Sequence, residues 1–204
     1  IYYAYWVNNW NVDFHPFIDK ASDIGFDVIE LNAGTITLMT KEERKSIKSH
    51  ADDKGIELSY VVGLQSQYDI SSENLSTRKS GINFLQQMSE AIGEIGGGPV
   101  GGIIYGSWPA SLPQNEHDKR PYVDRSIESM KEAIKSAEDN NVFFNMEVVN
   151  RFEQFIMNTC EEAIDYVKKI DSKNAKIMLD TFHINIEEDF FKESIVRANN
   201  YLGH

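Results

Sequence analysis

Asn145-Met-Glu-Val-Val-Asn-Arg-Phe-Glu153 and Met178-Leu-Asp-Thr-Phe-His183 decide how this chain is read. Each begins as an apolar run suited to a buried parallel strand, and each deposits acids or a histidine where the run ends. Glu147 and Asp180 stand 33 positions apart, about one strand–helix unit. In a chain that alternates strand and helix, both acids then fall at the same end of neighbouring parallel strands, where α/β folds place their chemistry. Two carboxylates on adjacent strand ends suit a divalent cation.

Working outward, strand-like segments recur at Ile1–Tyr5, Asp27–Leu31, Ile56–Val62, Pro99–Tyr105, Val142–Val149 and Lys176–Phe182, each bounded by Gly, Asn or Asp. Helical stripes lie between them. Phe14, Phe17, Ile18, Ala21 and Ile24 share one face, as do Ile82, Leu85, Met88, Ile92 and Ile95, and then Ile127, Met130, Ile134 and Ala137. Thr40-Lys-Glu-Glu43 and Thr159-Cys-Glu-Glu162 each have the spacing of a capping box. A last helix is predicted from about Glu187 to Ala198.

The pattern is six consecutive βα units with no linker to divide them, hence one domain over 1–204. A doubly wound sheet lacks its fingerprint here, because Gly96-Gly-Gly98 precedes a strand and reads as a helix stop. The expectation is an α/β fold, a partial (β/α)₈ TIM barrel of about six βα units with the last two missing and the C-terminus truncated.

Glu147 and Asp180 interrupt apolar runs, and a carboxylate there is costly unless paired, hydrogen-bonded or bound to metal. For Glu147 the competing reading is a salt bridge with Arg151. His183 and Glu153 lie just beyond the strand ends. A His there ligates a metal or hydrogen-bonds a substrate oxygen, against the competing reading of a helix N-terminal residue of no consequence. For Glu153 the competing reading is an ordinary solvated loop Glu. Tyr2, Tyr3, Tyr5, Trp6, Trp10 and Trp108 are rim candidates, because aromatic faces pack on sugar C–H faces; ordinary core packing is the competing reading.

A net charge of −12 with scattered basic residues speaks against a nucleic-acid partner. No apolar run is long enough to span a membrane, and no secretory signal is visible. A single cysteine, Cys160, forbids an internal disulfide and fits a cytoplasmic setting.

Taken together, Tyr3-Ala-Tyr-Trp6, Ser107-Trp-Pro109, Asp118-Lys-Arg-Pro-Tyr-Val-Asp-Arg125, Glu147-Val-Val-Asn-Arg-Phe-Glu153 and Leu179-Asp-Thr-Phe-His-Ile-Asn-Ile-Glu-Glu188 resemble the ketose 3-epimerase family, of the D-tagatose and D-allulose (D-psicose) kind. The resemblance runs the length of the chain. It implies a TIM barrel among the sugar isomerases and endonuclease IV-like proteins. It also implies a divalent metal, Mn²⁺ before Mg²⁺ or Co²⁺, held by Glu, Asp, His and Glu. Glu147 then matches the first ligand and a catalytic proton carrier, and Asp180 the second ligand. Glu153 and His183 match residues that hydrogen-bond the sugar near C1–C3, and Tyr2, Trp10 and Trp108 match aromatic positions of the sugar pocket.

The family's third ligand lies two residues beyond a Gly-His pair on the seventh strand. Here that pair is Gly203-His204, so His204 matches the non-ligand histidine. The last Glu ligand and a substrate-binding Arg are not in this sequence. The resemblance further implies a small-molecule ketose as partner and a homodimer or homotetramer. Alternatives are another sugar or polyol isomerase or dehydratase of the same barrel group, an endonuclease IV-like enzyme, and a non-catalytic truncated homologue.

Overall fold

The computed structural model describes residues 1–204. Five strands form one parallel sheet in sequential order: β1 (Val28–Asn32), β2 (Glu57–Val61), β3 (Gly98–Gly102), β4 (Val142–Val148) and β5 (Ala175–Leu179). Around them lie α1 (His15–Ile24), α2 (Ala33–Leu38), α3 (Lys41–Asp53), α4 (Leu75–Gly93), α5 (Arg120–Asp139), α6 (Cys160–Ile170), α7 (Thr181–Glu187) and α8 (Phe191–Ala198). Each strand pairs with the next after a helical crossover, which is TIM-barrel order, here as an open arc.

Alternation along the strands explains the burial. Phe144, Met146 and Val148 of β4 are fully buried in the main core, with Ile29 and Leu31 of β1 and the helix stripes built on Met88, Met130 and Val167. The intervening side chains, Asn145 and Glu147, belong to the opposite face, toward the barrel interior. Gly101 of β3 has no Cβ there, and one would lie 2.7 Å from the Met178 sulfur. Glycine at that point lets Met178 occupy the interior beside Glu147, its register partner.

The predicted helix stop holds. Gly97 has φ +79°, and a Cβ on it would fall 2.3 Å from the Asn141 carbonyl oxygen. Thr40 forms the full reciprocal capping box with Glu43. At Thr159 only half of the expected box exists: its hydroxyl accepts from Glu162 N–H, but the Glu162 carboxylate accepts from Asn158 N–H instead.

Two expected elements differ. Ile1–Tyr5 is not a full strand. Ile1 bonds to β1, its N donating to Val28 O (2.9 Å) and its O accepting from Glu30 N–H (2.8 Å), and the chain then turns into a 3₁₀ segment at Tyr3–Tyr5. The first of the six expected strands is therefore reduced to a single bridge, Tyr2 to Glu30. A second bridge, Ile177 to Leu202, extends the other edge. The helix expected at 187–198 begins only at Phe191, as α8, and α7 is a helix that the sequence reading did not expect, its first two residues falling at the end of the strand expected over Lys176–Phe182. The Glu188 carboxylate accepts from Cys160 N–H at 2.7 Å, which serves the start of α6. No helix is long and apolar enough to cross a membrane.

Candidate active site

Glu147 is the penultimate residue of β4, and Asp180 immediately follows β5. The register pairs Glu147 with Met178 and Val148 with Leu179, so both acids leave the sheet at the same end and on the same face. The Tyr105 hydroxyl donates to the Glu147 carbonyl oxygen at 2.8 Å and pins that backbone. Asp180 caps α7, with one carboxylate oxygen accepting from Phe182 N–H at 2.7 Å. That cap sets His183 in the first turn of α7, facing back over the strand ends.

The result is a cluster. One ligand-type atom from each of Glu147, Asp180 and His183 lies within 4.8 Å of the others. His183 Nε2 is 3.5 Å from Glu147 Oε1, and both side chains are buried. Burial by itself would lower the His183 pKa. The hydrogen bond and charge of Glu147, with the charges of Asp180 and Glu153, outweigh it and hold the imidazole above the ordinary histidine value. The competing salt bridge from Arg151 to Glu147 does not form, because Arg151 pairs with Glu187.

A cavity of about 1010 Å³ opens over this cluster. All seven residues singled out from the sequence line it: Tyr2, Trp10, Trp108, Glu147, Glu153, Asp180 and His183. Trp108 donates its Nε1–H to Glu153 Oε2 at 3.1 Å. The Tyr2 and Trp10 ring centroids are 6.3 Å apart on the opposite wall. The other aromatic rim candidates lie elsewhere. Tyr3 is in the core with its hydroxyl on the Trp10 carbonyl, Trp6 stacks on Phe17, and Tyr5 is exposed.

Sequence reasoning missed two residues here. Glu30 of β1 lines the same cavity with one carboxylate oxygen unpartnered. Burial pushes its carboxyl up, nearby His204 pulls it part of the way back, and the charge of Glu147 adds to the rise. His204 Nε2 lies 3.7 Å from Glu30 Oε1, so His204 stands apart from the Glu147 cluster. The signal for Glu30 was the same as for Glu147: an acid inside an apolar run, Val28-Ile-Glu-Leu31. The second missed residue is Asn150, buried and bonded to both Glu153 and His183. An Asn after a strand carries no sequence signal beyond a turn.

Residues 18–204 match the xylose isomerase-like TIM barrel family. The chain is similar to the D-psicose 3-epimerase of Ruminiclostridium cellulolyticum, at 37% identity over 100% of this chain and 69% of the relative. The D-psicose 3-epimerase of Agrobacterium fabrum is 35% identical over 100% of this chain and 70% of its own length. A crystal structure of D-psicose 3-epimerase with D-tagatose from Clostridium cellulolyticum superposes with a TM-score of 0.96, covering 100% of this chain and 70% of that one. Parallel strand order, the acids at one sheet end and these matches agree, and the chain belongs to the ketose 3-epimerase family within the xylose isomerase-like TIM barrels.

Proposed function

We propose that the protein is a metal-dependent epimerase acting at C3 of a free ketohexose, of the D-fructose/D-allulose or D-tagatose/D-sorbose type. The observation that carries this reading is the convergence of Glu147, Asp180 and His183 beneath a cavity walled by Tyr2, Trp10 and Trp108. Its D-psicose 3-epimerase relatives support it.

The donor set fits a divalent cation. Two hard carboxylates converge, and no Lys or Arg pairs with either. Glu147 and Asp180 would hold the ion, Mn²⁺ before Mg²⁺ or Co²⁺ on the family resemblance. When bound, it supplies Lewis-acid stabilisation of negative charge on the sugar oxygens.

The C3 hydrogen beside the C2 ketone is weakly acidic. Glu147 takes that proton, the C–H electron pair becomes the C2–C3 double bond, and O2 takes up the charge, giving a cis-enediolate. Return of a proton to the other face of C3 gives the epimer. The acid for that face is assigned to the last third of the barrel, outside the span that this chain shares with its relatives. Glu153 and His183 hold the C1–C3 end of the sugar, while Tyr2, Trp10 and Trp108 cover its C–H faces. A cytoplasmic homodimer or homotetramer accords with the family resemblance and with one buried thiol.

The test is turnover of D-allulose in D₂O with added Mn²⁺, by protein extended through the eighth strand. The expected product is D-fructose carrying deuterium at C3, formed only until a chelator is added and again after Mn²⁺ is restored. Product without C3 deuterium, or turnover indifferent to chelation, overturns the reading. The 204-residue chain alone is expected to be inactive, and robust turnover by it would remove the need for a second acid outside it.

A further inference from the structure

Asn150 lies two residues past the end of β4 and is 2% exposed. Its side chain makes three hydrogen bonds. Oδ1 accepts from Phe152 N–H at 3.0 Å. Nδ2 donates to Glu153 Oε1 at 2.9 Å and lies 2.7 Å from His183 Nδ1. The amide cannot be turned over. A flipped Oδ1 would face the Glu153 carboxylate, acceptor against acceptor, and a flipped NH₂ would face the Phe152 N–H, donor against donor. Both Nδ2 hydrogens are therefore committed, one to Glu153 and one to His183.

That commitment has a consequence for the imidazole. A donor at Nδ1 requires a lone pair there, so the neutral ring carries its hydrogen on Nε2. Nε2 is the nitrogen that faces Glu147 Oε1. His183 then presents a hydrogen-bond donor to the cavity in place of a lone pair. A donor suits a carboxylate or a negatively charged sugar oxygen and does not suit a metal ion. The cluster of three thus divides into two carboxylate ligands and one donor.

Glu153 is fixed by the same amide. One of its oxygens is held by Asn150 and the other by the Trp108 indole N–H. Its rotamer is set from two walls of the cavity at once. The Asn150 carbonyl also accepts from Glu153 N–H and Gln154 N–H, so the backbone that carries Glu153 turns about the same residue.

We propose that Asn150 is a positioning residue: its one amide selects the Nε2–H tautomer of His183 and orients Glu153, so that both present fixed polar groups to the substrate. The kinetic consequence rests on the epimerase reading, but the tautomer does not.

The experiment is long-range ¹H–¹⁵N NMR of histidine-labelled full-length protein, freed of metal by chelator, at a pH where imidazole is neutral. His183 is expected as the Nε2–H tautomer. Asn150→Asp, which keeps the acceptor for Phe152 N–H but replaces the donor by an acceptor, is expected to convert His183 to the Nδ1–H form, with the signals of His15, His50, His117 and His204 unmoved. Wild-type His183 in the Nδ1–H form, a measurement that needs no variant, overturns the proposal, as does an unchanged tautomer in Asn150→Asp. In the epimerase assay the same variant should lose kcat by roughly ten- to hundredfold with little change in KM, the usual range for losing a group that orients an active-site side chain. A converted tautomer with unchanged kcat overturns the positioning role, whereas absence of epimerase activity in wild type together with the expected tautomer counts against the proposed function alone.

Discussion

Arg151 gives its guanidinium to Glu187, 36 residues further on, and leaves Glu147 without a cation. The Glu187 carboxylate accepts Nε–H at 3.0 Å from each oxygen, Nη2–H at 2.5 Å and the Arg151 backbone N–H at 2.7 Å. This ties the loop after β4 to the end of α7. The Glu147 carboxylate therefore lines the cavity with no arginine or lysine paired to it.

The pair makes a pH-dependent contribution to stability. Arg151 holds the Glu187 carboxyl below its ordinary value of 4.5, chiefly through the side-chain hydrogen bonds. A carboxyl whose folded pKa is depressed stabilises the fold above the unfolded value and loses that contribution as pH falls through the folded value. Arg151→Ala should lower Tm only modestly near neutral pH, since the arginine side of the pair is largely exposed and screened by water. The difference in Tm between wild type and variant should shrink as the pH is lowered below the carboxylate range. A difference that is constant with pH would mean that the arginine acts by packing alone.

Much of the fold was legible because it depends on local periodicity. The acid embedded in Phe144-Asn-Met-Glu-Val148 and the stripes of the helices need no distant partner to be read. What failed depends on partners far along the chain. Ile1–Tyr5 has strand composition, but only Ile1 and Tyr2 find β1 before the turn begins. Glu188 has helical composition, but it lies between α7 and α8, where its carboxylate accepts from the free N–H of Cys160. In the site, an acid in an apolar run is conspicuous, and Glu30 was as legible as Glu147. Asn150 was not, because its role lies in two contacts, one of them 33 residues away.

Trp108 offers two functions that substitution can separate. Its ring walls the cavity, and its Nε1–H holds Glu153. Trp108→Phe keeps an aromatic face and removes only the donor. Hydrogen bonds to charged groups are worth about 1.5–3 kcal/mol, and this one is exposed to water and falls at or below the low end, so kcat/KM of the extended protein should fall by roughly three- to tenfold. Trp108→Ala should cost more, because the wall is lost as well. Equal losses in the two variants would show that the indole N–H carries the whole effect, and no loss in Trp108→Phe would show that Glu153 is held by Asn150 alone.

Glu147→Gln tests the proton-transfer step most directly. The change nearly preserves volume, and the backbone bond from Tyr105 does not depend on the side chain. It removes the negative charge that faces His183 Nε2 and, on the proposed chemistry, the acceptor for the C3 proton. The rate of the extended protein should fall at least about a hundredfold, the lower end for removing a general base. Weaker metal binding alone could lower the rate too, so the assay is run at saturating Mn²⁺ and reads deuterium entering C3 from D₂O. Wild type should label C3 of both substrate and product, and the variant should label neither. Near wild-type exchange in Glu147→Gln would mean that another group takes the C3 proton and that Glu147 serves only as a ligand or as part of the pocket wall.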